Sequence, residues 1–329
     1  MKLSIQLVTW NGGKYMPFLF ESLRNQTYKD WQLYIFDNGS QDDTVEQIKN
    51  QLNNFSVHTE FFESKENIGF ARAHNQLFLK NNSDYVLLLN QDMYLMADCI
   101  AKLTEFLDKN QDAGAVTPKL LKWNFSAIDE KNSLDTSFTQ DIDSLGLKVF
   151  KNGRVVDIQD SPVGKSAMPV FGVSGALPMY RWSALKNVAY EDETIFDDLY
   201  GSYKEDVDLA FRLASAGWKS YTVLDAVAFH DRSAAGPKEL KDTSAAKNKQ
   251  TQSELIKYNS YKNHLMTLYK SISKQNHTLD FLAILWYEFK KFVWFLIYDR
   301  KVLSGLGQIW RDRHELARKR AWIRKNRKV

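Results

Sequence analysis

Strand-like and helix-like patterns alternate four times within about the first hundred residues. Short apolar runs bounded by turn residues predict strands, and the stretches between them place apolar residues at helical spacing. Such alternation is typical of an α/β fold with a doubly wound, mostly parallel sheet flanked by helices. The strands are predicted at Leu3 to Thr9, Trp31 to Phe36, Phe55 to Glu63 and Val86 to Leu89, with helices from Tyr15 to Asn25, from Asp42 onwards, and between Asn67 and Leu79.

Polar residues follow these strands directly. The run Val86 to Leu89 is apolar throughout, as expected for a strand buried on both faces, and it leads into Asn90-Gln91-Asp92. In an open α/β sheet, ligands bind where the carboxyl ends of the strands meet the loops. These residues are therefore candidates for a metal or phosphate site, although the same three residue types also form ordinary turns. Similar polar stations are Thr9 to Asn11, Asp37-Asn38, Asn67 to Asn75, and Glu205-Asp206 with His230.

Two common nucleotide-binding folds lack their motifs here. The first turn has the sequence Trp10-Asn11-Gly12-Gly13-Lys14 and contains no G-x-G-x-x-G, which argues against a dinucleotide-binding dehydrogenase. A G-x-x-x-x-G-K-[ST] loop is also absent from the sequence, which argues against a P-loop NTPase. The single cysteine, Cys99, excludes an internal disulfide framework and a cysteine-based zinc site, and fits a reducing compartment.

The second half of the chain contains fewer regular patterns. A hairpin is predicted from Leu147 to Asp157 around Asn152-Gly153, and a helical stretch lies within Leu199 to Ala216. A strand from Tyr221 to Phe229 then ends in His230. The small, polar segment Ser233 to Gln252 has no periodicity and is predicted to be a mobile loop.

The positive charge of the protein is concentrated at the C-terminus. Arg311 to Val329 contains nine Lys or Arg and two acids, which gives it a formal charge of +7. Since the whole chain has a net charge of +4, the rest of the chain has a net charge of −3. This distribution argues against a nucleic-acid partner along the body of the protein. Leu279 to Tyr298 is strongly apolar, but Glu288, Lys290 and Lys291 interrupt it near its middle.

Such a segment favours a helix pair lying on an anionic membrane surface over a membrane-spanning helix. The basic tail would contact lipid headgroups, and four tryptophans would lie at the boundary. A C-terminal helical subdomain or an oligomer contact is the alternative. The tryptophans are Trp286, Trp294, Trp310 and Trp322.

In their order and spacing, the five polar stations resemble glycosyltransferase family 2, whose members have the GT-A fold. Within that family, the chain looks most like the bacterial rhamnosyltransferase-type enzymes. The resemblance covers about Leu3 to Leu268. It implies a glycosyltransferase domain over residues 1–270, with a nucleotide-sugar half at about 1–118 and an acceptor half at about 119–270. Residues 271–329 would form a basic, amphipathic helical appendage.

The resemblance also implies roles for individual residues. Asp92 and His230 would hold a divalent metal, Mn²⁺ or Mg²⁺, although Asn90 stands where the family has the first acid of its D-x-D motif. Asp206 would be the general base, with Glu205 as the other acid of the catalytic pair. Nucleotide-sugar contacts would come from Thr9, Asn11, Asp37, Asn67, Gly69, Arg72, Asn90 and Gln91, and the acceptor side from Ser174, Gly175 and Ala176. No chemistry is assigned to Asp143.

The implied function is an inverting transfer of a sugar from a nucleoside diphosphate-sugar, with dTDP-L-rhamnose or a UDP-sugar as donor. The acceptor would be a hydroxyl of a lipid-linked or growing surface polysaccharide, at the cytoplasmic face of the inner membrane. Two alternatives remain open at this point. One is a nucleotidyltransferase of related fold, and the other is a catalytically degenerate protein that binds sugar nucleotides or glycans.

Overall fold

One mixed β-sheet is the centre of the protein. The computed structural model describes residues 1–128, 134, 136–160, 164–232, 253–272 and 280–325. The strands are β1 (Leu3–Thr9), β2 (Trp31–Asp37), β3 (Thr59–Glu63), β4 (Tyr85–Asn90), β5 (Met93–Leu95), β6 (Ala113–Trp123), β7 (Phe138–Ser144), β8 (Leu147–Val149), β9 (Val155–Asp157), β10 (Ala167–Val170), β11 (Met179–Arg181) and β12 (Lys219–His230).

The helices cover both faces of this sheet and form the C-terminal part of the chain. They are α1 (Met16–Arg24), α2 (Thr44–Leu52), α3 (Phe70–Phe78), α4 (Cys99–Lys109), α5 (Trp182–Val188), α6 (Glu205–Ser215), α7 (Glu254–Ser271), α8 (Phe281–Tyr298), α9 (Ser304–Arg311) and α10 (Arg313–Lys325), with short 3₁₀ helices at Gly13–Tyr15, Phe125–Ala127 and Arg300–Leu303.

The order of strands in the main sheet is β10-β12-β6-β11-β4-β1-β2-β3, with β5 paired to β12 and β7 paired to β6. Strand β1 pairs in parallel with both β2 and β4, and β2 pairs in parallel with β3. Strand β12 also runs parallel to β6. The prediction of a mostly parallel, doubly wound α/β sheet is therefore confirmed. The predicted hairpin is also present, as a separate sheet of β8 and β9.

Strand β11 is reversed relative to both of its neighbours, and it was not predicted. It pairs antiparallel with β4 and with β6. The ladder continues upstream of the strand, because Leu88 N donates to Pro178 O (2.9 Å) and Asn90 N donates to Ala176 O (3.0 Å). As a result, the residues just before β11 lie at the carboxyl end of β4, where the sequence predicts the site.

The two faces of the sheet bury separate apolar cores. On one face, helices α1 and α4 contribute Leu19 and Leu103 to a core that includes Leu87 of β4. On the other face, helices α3, α5 and α6 pack against alternate residues of the same strand, such as Leu88. Because β4 is covered on both sides, its residues Val86 to Leu89 are all apolar and fully buried.

Several predicted boundaries shift in the structure. The third strand begins at Thr59 and not at Phe55, and the first helix begins with a 3₁₀ turn before Met16. The helical stretch predicted within Leu199 to Ala216 runs from Glu205 to Ser215, and it begins directly after Tyr203 and Lys204, which adopt left-handed backbone conformations with φ of +73° and +71°. The predicted mobile loop Ser233 to Gln252 lies outside the described residues.

The C-terminal helices are tied to the body of the protein by buried charges. Lys319 of α10 and Lys270 of α7 both contact Asp197, at 2.6 Å and 2.5 Å, and Lys270 also lies 2.8 Å from Asp208 of α6. Burial opposes the charged form of Asp197, but the two lysines hold its pKa well below the ordinary range. Trp322 was expected at a membrane boundary, and this was wrong, because its Nε1 donates to Ala189 O (3.0 Å).

Replacing Lys270 by methionine tests this network. The change leaves Asp197 and Asp208 buried with one cation fewer, so we expect the free energy of unfolding to fall by about 3 to 5 kcal/mol. Urea denaturation measures the loss. Lys301→Met is the control, because its ion pair with Glu254 is exposed and should matter little. Equal effects of the two changes would contradict the importance given to the buried network.

Candidate active site

Asp92 and His230 meet at one edge of the sheet. Asp92 lies between β4 and β5, and β5 pairs antiparallel with the end of β12, where His230 is opposite Met93. Asp231 N also donates to Asp92 O (3.0 Å). This pairing places His230 Nε2 3.4 Å from Asp92 Oδ1, although the two residues are far apart in the sequence. The predicted pair of metal ligands is thus brought together.

Asp143 orients the imidazole of His230. Its Oδ2 lies 2.9 Å from His230 Nδ1, which leaves Nε2 directed at Asp92. Arg232 approaches the same carboxylate with Nη1 at 3.6 Å and bonds Asp157 at 2.9 Å. A carboxylate behind a histidine ligand is a common second partner at metal sites. The sequence analysis assigned no chemistry to Asp143, which is one of two acids in β7 and bonds a histidine 87 residues away.

The charges around His230 change its protonation. Burial by itself lowers the pKa of the imidazole, but Asp92 and Asp143 together raise the pKa to about 9. The pKa of Asp143 is lowered, because its bond to His230 and the charge of Arg232 outweigh the effect of burial. In this state a proton on His230 stands in for the positive charge that a metal would supply between the two carboxylates.

The geometry of this pair fits a divalent cation. Octahedral ligands at about 2.1 Å from Mg²⁺ lie about 3 Å apart when adjacent, which is close to the separation of Asp92 Oδ1 and His230 Nε2. In the part of the chain that the structure describes, no three His, Cys, Asp or Glu side chains converge on one point. Asp92 and His230 would therefore hold the ion with substrate oxygens and water in the remaining positions.

Glu205 and Asp206 form the first turn of α6. Asp206 is partly buried, and its carboxylate accepts hydrogen bonds from Gly175 N (3.1 Å) and Val207 N (2.7 Å). Glu205 is only 7% exposed, and its Oε2 has no hydrogen-bond partner among the residues that the structure describes. Burial raises the pKa of both carboxyl groups, and the neighbouring Asp206 raises that of Glu205 further.

Asp208, the third acid of this helix, points away from the pair. It is fully buried and accepts from Arg212 Nε (2.9 Å) and Tyr190 Oη (2.8 Å). Burial opposes its charge, but Lys270 and Arg212 lower its pKa. Successive residues of an α-helix point about 100° apart, which is why the three acids do not face one cleft.

The segment Ser174 to Ala176 connects the two acidic groups. Ala176 O accepts from Asn90 N, at the end of β4, and Gly175 N donates to Asp206. Ser174, which precedes them, is buried. The predicted acceptor-side residues therefore lie between the Asp92 loop and the candidate base.

Thr9 and Asp37 lie side by side at the ends of the parallel strands β1 and β2. Thr9 Oγ1 donates to Asp37 Oδ1 (3.0 Å), and the same carboxylate accepts from Ser40 N (2.9 Å) and Ser40 Oγ (2.5 Å). Asn11, with φ of +49°, accepts from Gln41 N through Oδ1 (2.8 Å). These three predicted nucleotide residues share one rim of the sheet edge, and their contact with a base stays a prediction.

Asn67, Gly69 and Arg72 form a second rim. Asn67 Oδ1 accepts from Gly69 N (2.9 Å), and a Cβ on Gly69, which has φ of +88°, would lie 2.9 Å from Gly201 O. Only glycine fits there, and the close approach is to the loop that leads into α6. Arg72 Nε lies 3.9 Å from Asp198 Oδ2, and its side chain is about half exposed.

Gln91 is engaged within the protein. Its side-chain amide accepts from Trp10 N (2.8 Å) and donates to Trp10 O (3.0 Å), which joins the ends of β4 and β1. The side chain of Asn90 makes no hydrogen bond to any of the described residues. The predicted contacts of both residues with the nucleotide sugar remain predictions, and Gln91 would have to give up its bonds to Trp10 to make one.

Comparison with known proteins relates part of the chain to one family. Residues 4–123 match the model of the family described as glycosyl transferase family 2. In this region, the chain is similar to glycosyltransferase family 2. It is 24% identical over 261 residues to an N-acetylglucosaminyl-diphospho-decaprenol L-rhamnosyltransferase of Mycobacterium tuberculosis, covering 76% of this chain and 82% of that protein. It is also 24% identical to the O-antigen chain rhamnosyltransferase RfbN of Salmonella typhimurium, covering 70% of this chain and 66% of that one.

Solved glycosyltransferase structures share the fold of this chain. GalNAc-T7 with UDP, GalNAc and Mn²⁺ superimposes with a TM-score of 0.61 at 11% identity, over 93% of this chain. This chain spans 57% of the length of that one. The mannosyltransferase PcManGT of Pyrobaculum calidifontis, in complex with GDP-Man and Mn²⁺, gives 0.54 at 16% identity, over 94% of this chain and 74% of that one. The GT-A fold implied by the sequence resemblance is thus confirmed.

Glu205→Gln tests the electrostatics of the Glu205–Asp206 pair. Because the folded state raises the pKa of Glu205, it keeps a proton that the unfolded chain loses above about pH 4.3. As the pH rises from about 4.3 to about 8, this group therefore lowers the stability of the wild type. Glutamine does not titrate, so the variant lacks this effect. We expect the melting temperature of Glu205→Gln to gain on the wild type between pH 5 and pH 9.

Glu46→Gln, at an exposed position of α2, is the matched control and should show no such trend. A difference between Glu205→Gln and the wild type that does not change with pH would show that Glu205 is ionised in the folded protein like an ordinary surface acid.

Proposed function

We propose that this protein is an inverting, metal-dependent glycosyltransferase. It would transfer a sugar, with L-rhamnose from dTDP-rhamnose as the best candidate, to a hydroxyl of a lipid-linked or growing surface polysaccharide. The observation that carries the proposal is the segment Ser174 to Ala176, which is bonded to the end of β4 on one side and to Asp206 on the other. This linkage would keep a donor diphosphate site and a general base at one edge of the sheet.

Asp206 would act as the general base. Burial raises its pKa above the ordinary aspartate value, which suits a group that must take a proton near neutral pH. As it takes the proton of the acceptor hydroxyl, that oxygen attacks the anomeric carbon from the face opposite the diphosphate. The new carbon–oxygen bond forms as the bond to the phosphate oxygen breaks, and the electron pair leaves with the diphosphate. The sugar is therefore transferred with inversion.

The diphosphate would lie between Asp92, His230 and Arg232. A divalent ion on Asp92 and His230, when bound, would offset the negative charge of the phosphates. Asp143 keeps Nε2 of His230 pointed at this position. Arg232 adds a permanent positive charge, and among the described residues its guanidinium contacts Asp157 and Asp143 through Nη1.

The donor class follows from the relatives. The two curated relatives are named as rhamnosyltransferases, and one name specifies a diphospho-decaprenol acceptor. We extend both features to this chain as a proposal, with dTDP and UDP as alternative carriers, because a carboxylate such as Asp37 can accept the imide N–H of either base. A catalytically degenerate sugar-nucleotide-binding protein is the second candidate, favoured by Asn90 at the first position of the acidic motif.

A lipid-linked acceptor would bring the protein to the cytoplasmic face of the inner membrane. Helix α8 carries a suitable surface, which we call the α8 stripe. Its residues recur at helical spacing, and each is at least 51% exposed. Within the described residues, no helix is long and apolar enough to cross a membrane. The stripe consists of Leu282, Leu285, Trp286, Phe289 and Ile297.

Two of the charges that interrupt this apolar segment face the protein. Glu288 accepts from His264 Nε2 at 2.8 Å and pairs with Lys291 at 3.2 Å, on the side of α8 that packs against α7. Burial opposes the charge of Glu288, but Lys291 and His264 lower its pKa to about 2. Lys290 is on the exposed side, where its positive charge favours binding to anionic lipid headgroups. We therefore propose that the α8 stripe, more than the basic tail, rests on the membrane surface.

Asp206→Asn and Asp92→Asn together test the proposed chemistry. Asparagine at 206 keeps the shape but removes the basicity, so transfer should fall by about 100-fold or more while Mn²⁺ and donor still bind. Asparagine at 92 removes the anionic metal ligand, so both Mn²⁺-dependent donor binding and transfer should be lost. Product formation and calorimetric titration of donor with Mn²⁺ measure the two properties.

Full activity in EDTA, or an active Asp92→Asn protein, would contradict the metal-dependent mechanism. Activity in Asp206→Asn together with loss in Glu205→Gln would show that the base is the other acid. Mn²⁺-dependent donor binding without any transfer in the wild type would favour the degenerate binding protein.

Flotation with liposomes tests the membrane surface. We expect the wild type to float with vesicles of phosphatidylcholine and phosphatidylglycerol, and Leu285→Glu with Phe289→Glu to reduce binding by at least about tenfold, because two apolar contacts are lost and two charges are added. Arg313→Gln serves as the comparison in the basic tail, and it should have a smaller effect. Unchanged flotation of the stripe variant would contradict the proposal.

A further inference from the structure

The loop that leads into the catalytic helix has an unusual backbone. Gly201, Tyr203 and Lys204 all have left-handed conformations, with φ of +67°, +73° and +71°. Residues with a Cβ rarely adopt this conformation, and two in succession persist only where the surrounding structure enforces them. Glu205 and Asp206 follow immediately. The direction in which α6 starts, and with it the position of the two acids, therefore depends on what holds this loop.

Asn263 of α7 makes the central contact with the loop. Its Nδ2 donates to three carbonyl oxygens, those of Tyr200 (2.9 Å), Ser202 (3.0 Å) and Tyr203 (2.7 Å). The side chain is fully buried. Three carbonyl dipoles that point at one place repel one another unless a donor lies between them, and the short amide of asparagine supplies that donor.

Neighbouring residues of α7 hold the start of the same loop. Lys262 Nζ donates to Leu199 O (3.0 Å), and Thr267 Oγ1 lies 2.6 Å from Tyr200 Oη. These contacts fix residues 199 and 200, whereas Asn263 alone among them reaches Tyr203, next to the helix start. Lys204 then provides the first backbone carbonyl of α6, to which Asp208 N donates (3.0 Å).

We propose that Asn263 is a positioning residue for the Glu205–Asp206 pair. It touches neither donor nor acceptor. Its amide holds Tyr203 and Lys204 in their left-handed conformations, and this sets Asp206 against Gly175 at the acceptor side of the site. The inference rests on the proposed transferase function. It assigns the C-terminal helix α7 a part in the reaction that is separate from the buried charges of Lys270.

Asn263→Ala is the primary test. Removing the donor frees the three carbonyls to turn away, so the acids should shift while the Asp92 and His230 loop stays in place. We expect kcat to fall by about 10-fold to 100-fold, with the KM for donor and the affinity for Mn²⁺ changed by less than about twofold. Asn263→Ser keeps a single, shorter donor and should give the same selective loss of kcat if the alanine variant is insoluble.

Tyr261→Leu is the matched control for general destabilisation. Tyr261 is also buried on α7, but it packs against Phe295 of α8 and away from the loop. At an equal loss of melting temperature, it should keep kcat within about twofold of the wild type. A merely structural role of Asn263 would lower activity in both variants to the same degree.

A rescue variant makes the test specific to the backbone. Glycine adopts left-handed conformations without steric cost, so adding Tyr203→Gly to Asn263→Ala should recover kcat by about fivefold or more. Hydrogen exchange of residues 197–206 should be faster in Asn263→Ala and return towards the wild-type rate in the double variant. This second readout does not depend on transferase activity.

The outcomes separate this inference from the function on which it rests. A wild-type protein without transfer activity would defeat the proposed function, and the exchange rates would still decide whether Asn263 holds the loop. Retention of kcat by Asn263→Ala in an active enzyme, an equal loss in Tyr261→Leu, or no recovery in the double variant would overturn the positioning role.

Discussion

Strand β11 runs antiparallel to both β4 and β6, and this reversal decides where the residues before it lie. In a fully parallel sheet, the segment Ser174 to Ala176 would precede its strand at the opposite edge. Here it enters at the carboxyl end of β4 and bonds Asn90 there. Asp206 of helix α6 can then accept a hydrogen bond from Gly175 N. The candidate base, the acceptor segment and the Asp92 loop are neighbours for this reason.

The second constraint is the pairing of β5 with the end of β12. This pairing places His230 beside Asp92, and Asp143 of β7 orients the imidazole through its contact with Nδ1. Five aspartates lie in this region, while the described cations include Lys204, Arg232 and the protonated His230. An excess of negative charge is unfavourable at a site for a diphosphate, which is itself anionic. A bound divalent cation would offset this excess, and that is the physical argument for the proposed metal dependence. The aspartates are Asp92, Asp143, Asp157, Asp206 and Asp231.

The C-terminal helices support the site from the other side of α6. Asp208 points into a buried network with Arg212 and Lys270, so the same helix that presents Asp206 to the cleft is anchored through its opposite face. Helix α10 joins the network through Lys319, and α8 joins α7 through Glu288. The helical segment predicted over residues 271–329 is therefore tied to the rest of the protein through α8 and α10.

Much of the fold could be predicted from local patterns. The bounds of β1 matched the prediction, because seven successive residues carry the pattern of a buried strand. Asp92, His230, Glu205 and Asp206 were chosen by their motifs, and the structure gathers them at one edge of the sheet. Strands β5 and β11 were missed, since three residues are too short to show a periodicity. Strands β6, β7 and β10 were not predicted either, although β6 has eleven residues.

The partners of the site residues could not be predicted at all. Asp143 bonds a histidine 87 residues away, and Gln91 bonds the backbone of Trp10, 81 residues away. Such contacts depend on how the strands are ordered in the sheet, and no local pattern of residues records them. The left-handed conformations of Tyr203 and Lys204 belong to the same class, because neither residue type favours them and only the contact with α7 explains them.

The central claim is that Asp92 and His230 together hold the metal that a nucleoside diphosphate binds. Pulsed electron paramagnetic resonance of Mn²⁺ with dTDP measures this directly, because a coordinated imidazole adds a ¹⁴N coupling to the manganese signal. The account predicts this coupling in the wild type, its loss in His230→Ala, and its weakening in Asp143→Asn, where the ring is no longer held. A wild-type complex without nitrogen coupling, or a coupling that survives His230→Ala, would contradict it.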